Sequence, residues 1–261
     1  MAMKLEDKIK LAANIIKNSK FIVALTGAGI STESGIPDFR SPGTGLWTKV
    51  DPMKYASIEA FLKNPAAYWE RALDPNGLGN LILDAKPSIS HKCLAELEKM
   101  GYLKAVITQN IDNLHQKAGN SNVIELHGTI FTAHCMECGA KYHRKTVLEW
   151  VKNGELPPLC KKDNCNGIIK SDTILFGEPL PSDALNRAVE FSRMADCMLI
   201  LGSSLVVTPA AHLPLLTLQS NGKLIIINMQ PTPKDVYANV VINAKIGEVL
   251  PKIVKILKNE S

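Results

Sequence analysis

Residues 21–29 have the sequence FIVALTGAG, an apolar run that leads into a small loop with two glycines. A strand that is apolar at every position is covered on both faces, as in a parallel sheet packed between helices. Glycines directly after such a strand let a phosphate approach the backbone N–H groups. This stretch therefore predicts the first strand and the first ligand loop of an α/β fold.

More apolar runs of the same kind follow, with helical patterns between several of them. Strands that alternate with helices indicate a largely parallel sheet with helices on both faces. The further predicted strands lie at 105–107, 123–126, 197–201, 224–227 and 240–242, and the predicted helices lie at 1–18, 57–63, 65–73, 88–100, 182–194, 209–220 and 246–258.

Two segments interrupt this alternation. Residues 37–87 are rich in proline, glycine and aromatic residues, and residues 129–175 contain four of the six cysteines. Both segments leave the sheet at the carboxyl end of a strand and return later, so we expect them to form a second, smaller domain. The main domain then consists of residues 1–36, 88–128 and 176–261.

The composition limits the class of protein. The chain has 261 residues, 46% of them apolar and 21% charged, which excludes disordered and fibrous proteins. No apolar run reaches the roughly 18 residues of a membrane span, and the charged N-terminal segment does not resemble a signal peptide. The net charge is +5, and the basic residues are scattered along the chain and mostly interleaved with acidic ones. We therefore expect no specific nucleic-acid binding. These features predict a cytoplasmic protein that is not bound to a membrane.

The spacing of four cysteines predicts a ligand set: Cys135-x2-Cys138 and Cys160-x4-Cys165. Four thiolates are the usual ligands of a closed, tetrahedral, structural Zn²⁺ site. An iron–sulfur cluster is the alternative. Cys93 and Cys197 lie on a helical and a strand pattern, where we expect them to be buried as small apolar residues.

Small or polar residues follow each of the best predicted strands. In an open parallel sheet, ligands bind beyond the carboxyl ends of the strands, so these loops predict one shared crevice. A dinucleotide would fit there, but Thr32 stands where the dehydrogenase fingerprint has its third glycine, and this disfavours hydride transfer. The loops are Thr26–Gly29, Thr108–Asn110, His127–Gly128, Gly202–Ser204 and Asn228–Gln230.

His127 is the strongest candidate for a general base, because it ends a strand at the predicted crevice. His115 is the second histidine considered, and its helical pattern suggests that it caps or packs. Asn110 and Asp112 share the neighbouring loop and could bind an amide or a ribose. Arg40 could reach a phosphate if its loop folds back.

Taken together, the motifs resemble those of the sirtuins over residues 9–258. They are GAGISTESGIPDFRSPGTGLW (27–47), TQNIDNLHQKAG (108–119), LHG (126–128), the paired cysteines, FGE (176–178), GSSLVVTPA (202–210) and IN (227–228). The resemblance implies a Rossmann-like NAD⁺ domain with a smaller zinc-binding and helical domain. It also implies NAD⁺-dependent removal of acyl groups from protein lysines, with NAD⁺ as co-substrate and an acyl-lysine peptide as partner.

The resemblance further implies roles for individual residues. His127 and Asn110 are similar to the family's catalytic pair. The implied NAD⁺ contacts are Gly27, Ala28, Gly29, Thr32, Phe39, Arg40, Gln109, Asn110, Ile111, Asp112, Gly202, Ser203, Ser204, Asn228, Met229, Lys245 and Ile246. The implied peptide contacts are Ile174, Phe176, Gly177, Glu178, Leu205 and Val206, and the implied zinc ligands are Cys135, Cys138, Cys160 and Cys165.

The chain departs from the family pattern before its FGE motif. Lys170 and Ser171 stand where the family usually has Arg-Pro, and Leu175 stands where an aromatic residue is common. Tyr68 and Arg71 match the pair with which some members hold acidic acyl groups, so desuccinylation is an alternative to deacetylation.

Three other functions are consistent with some of these motifs. A mono-ADP-ribosyltransferase would share the sugar-transfer step. A non-catalytic NAD⁺ or ADP-ribose sensor would use the crevice but would not need His127. A zinc-ribbon nucleic-acid protein would leave the loops at the sheet edge unexplained. We expect a monomer.

Overall fold

The computed structural model describes residues 3–43, 45–48 and 50–259. The strands, in chain order, are β1 (Ile22–Thr26), β2 (Leu103–Thr108), β3 (Val123–Glu125), β4 (Gly128–Cys135), β5 (Lys141–His143), β6 (Ile169–Thr173), β7 (Cys197–Leu201), β8 (Lys223–Ile227) and β9 (Val240–Ile242). The α-helices are α1 (Leu5–Lys17), α2 (Pro52–Ala56), α3 (Ile58–Lys63), α4 (Pro65–Arg71), α5 (Leu78–Asp84), α6 (Ile89–Lys99), α7 (Leu114–Ala118), α8 (Arg144–Lys152), α9 (Ser182–Met194), α10 (Leu213–Gln219) and α11 (Ile246–Asn259).

The six strands predicted from apolar runs form one sheet in the order β3-β2-β1-β7-β8-β9, and all neighbours are parallel. Every residue of β1 and of β7 is buried, as expected of strands covered on both faces. The register pairs Thr26 with Thr108 and with Leu201, and it pairs Leu201 with Ile227. The carboxyl ends of these strands are therefore level, and the loops after them meet at one edge.

Helices cover both faces of this sheet. Helices α1, α6 and α11 pack on one face, and α9 and α10 pack on the other. Helix α11 packs on the sheet through one apolar face. The residues of this face recur at helical spacing and are fully buried: Val249, Leu250, Ile253 and Leu257. Each such side chain stabilises the fold by about 2 kcal/mol. The predicted α/β architecture is confirmed. Among the described residues, no helix has the length and apolar character needed to cross a membrane.

A second sheet, which we did not predict, has the antiparallel order β5-β4-β6. Helix α8 packs on β4, and helix α4 adds Trp69 to the same apolar cluster. The indole N–H of Trp69 donates a hydrogen bond to the carbonyl oxygen of Ile169 at 2.8 Å. Side chains from residues 37–87 and from residues 129–175 therefore share one apolar cluster. Helices α2, α5 and α8 were also missed in the sequence.

Candidate active site

The loops after β1 and β7 touch backbone to backbone through glycines. The amide of Gly29 donates to the carbonyl oxygen of Gly202 at 2.9 Å. A Cβ on Gly29 would lie 2.7 Å from the Gly202 Cα, and one on Gly27 would lie 2.7 Å from the Gly202 carbonyl oxygen. A side chain at either position would force the loops apart. The resulting glycine-lined cleft, with Ala28 opening a 3-10 turn, suits a pyrophosphate group.

A buried polar network fixes the loop after β2 against this glycine loop. The side-chain amide of Asn110 donates to the carbonyl oxygen of Gly27 and to the hydroxyl of Ser31, both at 3.1 Å. The Ser31 hydroxyl in turn donates to Asp112 Oδ2 at 2.7 Å. Sequence reasoning did not assign Ser31 a role, although it lies inside the GAGIST motif. Its burial was not visible from one sequence.

His127 lies in the short connection between β3 and β4, with a fixed ring orientation. Its Nδ1 lies 2.9 Å from the carbonyl oxygen of Gln109. A carbonyl oxygen only accepts hydrogen bonds, so Nδ1 carries the proton and Nε2 is the basic atom. Burial lowers the pKa of His127 below its ordinary value; the bond to Gln109 opposes this, and the nearby charge of Arg40 adds to it. Burial therefore favours the neutral form of the ring, which is the form that acts as a general base.

Gln109 also connects the neighbouring loops. Its backbone amide donates to the Thr26 carbonyl oxygen at 3.0 Å, and its side-chain amide donates to the Ser203 hydroxyl at 2.9 Å. Ser204, the next residue of the β7 loop, is half-buried. The loops after β2, β1 and β7, which were predicted to share one crevice, are thus joined by hydrogen bonds.

The β8 loop lies at the same sheet edge. Asn228 is buried, and its side-chain amide donates to the carbonyl oxygen of Gln230 at 2.7 Å. Met229 and Lys245 are exposed. The side chain of Ile246, the first residue of α11, is buried in the core, so Ile246 can offer a ligand only its backbone.

The loop that carries Phe39 and Arg40 is organised by Asp38, which the sequence analysis did not assign. The Asp38 carboxylate accepts from the amides of Arg40 and Ser41 at 2.9 and 2.7 Å. The Phe39 ring stacks on Trp47 with centroids 5.1 Å apart. Thr32 lies exposed at the rim of the glycine loop. Ile111, in the loop after β2, packs beside the buried cluster that contains Ile36.

The segment Ile174–Glu178 lies next to His127. The amide of Ile174 donates to the His127 carbonyl oxygen at 2.9 Å. Phe176 pairs with the backbone between α2 and α3: its amide donates to the Ala56 carbonyl oxygen at 2.8 Å, and its carbonyl oxygen accepts from the Ile58 amide at 3.0 Å. This segment therefore connects the backbone at His127 with the start of α3.

Leu205 and Val206 differ from each other in exposure. Leu205 has φ of 54° and its side chain is buried in the core, whereas Val206 is 51% exposed. Leu205 can therefore offer a peptide only its backbone.

His115, the second histidine considered, lies in the core. Its Nε2 lies 2.9 Å from the Thr26 hydroxyl, and its ring lies 4.8 Å from that of His91. Burial lowers the pKa of His115 well below its ordinary value, and burial also lowers the pKa of His91, to about 4. Both rings are therefore neutral, and His115 is a packed residue of the core.

Tyr68 and Arg71 contact different neighbours. The Tyr68 ring packs edge-on against Phe61 and Trp69, and Tyr68 lies close to the Arg144 guanidinium. Arg71 is exposed and lies over the Tyr55 ring, 5.3 Å from its centroid. The two side chains are engaged by different neighbours.

The four clustered cysteines come together between the small sheet and its adjoining loops. All four sulfur atoms lie within 4.8 Å of one another, with Cys135 3.7 Å from Cys165 and Cys138 3.6 Å from Cys160. Tetrahedral Zn²⁺ with bonds of about 2.3 Å holds sulfurs about 3.8 Å apart. The donor set therefore fits zinc. Cys93 and Cys197 are buried elsewhere in the core, as predicted.

Residues 27–209 match the model of the Sir2 family. An NAD-dependent protein deacetylase of Caldivirga maquilingensis is 47% identical over 247 residues, which cover 95% of this chain and 93% of that protein. An NAD-dependent protein deacylase 2 of Archaeoglobus fulgidus is 46% identical over 255 residues, which cover 97% of this chain and 98% of that protein.

Solved structures give the same result. A Sir2 complex with a p53 peptide and NAD⁺ has a TM-score of 0.86 at 40% identity, covering 99% of this chain and 100% of that chain. A structure concerned with the mechanism and regulation of Sir2 enzymes has a TM-score of 0.88 at 45% identity, covering 98% of this chain and 100% of that chain. The resemblance stated from the motifs is confirmed: the chain belongs to the Sir2 family.

Proposed function

We propose that this protein is an NAD⁺-dependent protein-lysine deacetylase. It uses NAD⁺ and one water molecule to transfer the acetyl group from lysine to ADP-ribose, and it releases nicotinamide, O-acetyl-ADP-ribose and free lysine. The observation that carries the proposal is the position of His127, a neutral base with one defined basic nitrogen. It lies between the glycine-lined cleft and the segment Ile174–Glu178.

The NAD⁺ site proposed here extends along the sheet edge. The glycine loop with Ala28 and Thr32 takes the phosphates, together with Arg40 and the Gly202 loop. Phe39, Ile111 and Asp112 form the nicotinamide side. The ribose and adenosine contacts are Gln109, Asn110, Ser203, Ser204, Asn228 and Met229, with the backbone of Lys245 and Ile246.

NAD⁺ supplies an electrophilic ribose carbon when nicotinamide leaves, and the acetyl-lysine carbonyl oxygen attacks that carbon. The chain's own task is to hold the two reactants together and to move one proton. Nε2 of His127 accepts the proton from a ribose hydroxyl, because Nδ1 already donates to Gln109. The Asn110 side chain is held by Gly27 and Ser31 next to the ribose position. No hydride moves, in agreement with Thr32 at the third glycine position.

The acetyl-lysine peptide binds as an added strand between Ile174–Glu178 and the Leu205–Val206 loop. Such β-augmentation uses backbone hydrogen bonds, so it accepts many sequences around the lysine. Ile174 offers its carbonyl oxygen to the lysine amide, and Val206 offers an exposed apolar surface.

We also propose that residues 37–87 and 129–175 form one structural unit, with one Zn²⁺ held by Cys135, Cys138, Cys160 and Cys165. The shared cluster around Trp69 supports this unit. The zinc would bind β4 to the loop before β6 and take no part in the reaction, since four thiolates leave no ligand position open.

Acetyl groups are favoured over acidic acyl groups by the geometry of Tyr68 and Arg71. The Tyr68 ring is packed against Phe61 and Trp69, and Arg71 lies over the Tyr55 ring. Release rates from acetyl-lysine and succinyl-lysine versions of one peptide test this preference, and faster release from the succinyl version would overturn it.

We place the protein in the cytoplasm, because thiolate zinc sites persist where thiols are kept reduced. We propose a monomer, because all residues assigned to the two substrates lie on one chain. Incubation of an acetyl-lysine peptide with and without NAD⁺, followed by mass spectrometry, tests the proposed activity.

A further inference from the structure

Lys170 is a buried lysine in a polar setting. Its side chain is only 2% exposed. The ammonium nitrogen donates to the carbonyl oxygen of Thr173 at 2.8 Å and to that of Ser171 at 3.1 Å, and it lies 2.9 Å from Glu178 Oε2. An ammonium has three protons, and three acceptors surround it. Burying a charge is costly unless it is paired in this way.

Glu178 uses the same oxygen to close a turn. Its Oε2 also accepts from the amide of Leu175 at 2.8 Å, and the Glu178 amide donates to the Leu175 carbonyl oxygen at 3.0 Å. Gly177 occupies the turn with φ of 89°, which favours glycine. The carboxylate thus fixes both ends of the turn, and Lys170 fixes the carboxylate to β6.

This turn lies in the segment assigned to the substrate peptide. On one side the Ile174 amide is bonded to the His127 carbonyl oxygen, and on the other Phe176 is paired with the backbone beside α3. A shift of Glu178 would therefore move the backbone that the peptide pairs with, while the glycine loops and the Asn110 network lie elsewhere.

We propose that Lys170 is a positioning residue for the acyl-lysine peptide, acting through Glu178 on the backbone of Ile174–Glu178. The inference rests on the proposed deacetylase function. A buried ion pair is weak evidence of added stability, since its desolvation cost offsets much of the attraction. Its value here lies in fixing one geometry of the turn. Lys170 was noted in the sequence only as a departure from the family's Arg-Pro.

The test compares Lys170→Met, Lys170→Arg, Glu178→Gln and the double variant Lys170→Met/Glu178→Gln. The matched control is Lys258→Met, which breaks a 2.9 Å ion pair to Glu96 far from the cleft. Steady-state kinetics are measured with acetyl-lysine peptide and with NAD⁺ varied separately. Melting temperature and zinc content report folding. Binding of a fluorescent acetyl-lysine peptide, measured by anisotropy, needs no turnover.

We expect Lys170→Met to raise the peptide KM about tenfold, with kcat and the KM for NAD⁺ changed less than twofold. Lys170→Arg keeps the charge and several donors, so its peptide KM stays within about threefold of the unchanged protein. The double variant should be no worse than either single variant, because both remove the same link. Lys258→Met should leave all constants unchanged.

The proposal is overturned if Lys170→Met leaves the peptide KM unchanged, raises both KM values equally, or is not rescued by arginine. If Lys170→Met does not fold, an unchanged peptide KM in Glu178→Gln overturns it, and a raised one supports it. If the unchanged protein binds peptide without turning it over, the deacetylase function fails, and the anisotropy of the variants still decides the role of Lys170. No peptide binding at all overturns both.

Discussion

His127 donates its Nδ1 proton to the carbonyl oxygen of Gln109 at 2.9 Å. The Gln109 backbone is held by Thr26 of β1, and its side chain is held by Ser203 after β7. The orientation of the proposed base is therefore set by the carboxyl ends of three neighbouring strands. This is a rigid support, since sites built on sheet strands are held more precisely than sites on free loops.

Replacement of the base is the first prediction. His127→Ala should abolish deacetylation, with a loss of at least about a hundredfold in kcat, because general-base catalysis contributes about that much or more. NAD⁺ binding and the melting temperature should stay close to those of the unchanged protein. His212→Ala, at an exposed histidine, serves as the control. Near-normal deacetylation by His127→Ala would remove His127 from the mechanism.

The pH dependence of the rate follows from the lowered pKa of His127. The base acts in its neutral form, so kcat/KM should rise with pH through a midpoint below the ordinary value of 6.5. Arg40→Gln removes a positive charge that helps to lower this pKa, and it should move the midpoint upward. Rate profiles between pH 5 and 8 measure both midpoints. A midpoint at or above 6.5 in the unchanged protein contradicts the assignment.

Zinc content and its loss give the third prediction. The purified protein should carry about one Zn²⁺ per chain and no visible iron–sulfur absorption. Cys138→Ser should lose the metal and lower the melting temperature of the chain, because the proposed metal would join β4 to the loop before β6. Cys93→Ala, at a buried cysteine outside the cluster, should keep the metal. Retention of a full equivalent of zinc by Cys138→Ser is the contradicting result.

The buried His91 and His115 predict how stability depends on pH. Burial lowers their folded-state pKa values, that of His91 to about 4 from 6.5. The unfolded chain thus takes up protons first, so the free energy of unfolding is highest above pH 6.5 and falls as the pH drops toward 4. Each histidine contributes up to about 1.4 kcal/mol per pH unit in that window.

His91→Gln removes one of these groups and should reduce the slope between pH 7 and pH 5, a range above most carboxylate titrations. Urea unfolding at several pH values measures it, with His212→Ala as the control. An unchanged slope would mean that His91 is not buried in its neutral form.

The large sheet could be predicted because its strands are apolar along their whole length. Burial on both faces leaves a clear record in the sequence, as in Cys197–Leu201. Once the sheet is parallel, the loops after its strands must share an edge, and this places His127 and Gly202 correctly without any knowledge of contacts.

The small sheet could not be predicted in the same way. Strand β6 contains Lys170, Ser171 and Asp172, and β5 has only three residues. The Asp172 carboxylate is paired with a residue that is distant in sequence, His134, at 2.6 Å. Such a pair produces no periodic pattern of apolar residues in the sequence, and tertiary packing overrides the local strand preference of these residues.

The direction and burial of individual side chains could not be predicted from the sequence either. The sequence did not show that the side chain of Leu205, whose φ is 54°, is buried in the core, so that only its backbone can serve as the predicted peptide contact. Ser31 was not assigned, although its hydroxyl joins Asn110 to Asp112. Both depend on backbone geometry that arises only after the loops of β1, β2 and β7 have met.

One assay tests the central claim most directly. An acetyl-lysine peptide is incubated with the protein, with and without NAD⁺, and the peptide and the nucleotide products are identified by mass spectrometry. We predict NAD⁺-dependent loss of the acetyl group, with O-acetyl-ADP-ribose and nicotinamide formed in equal amounts. Nicotinamide release with the peptide still acetylated and ADP-ribose attached to protein, or deacetylation without NAD⁺, would contradict the account.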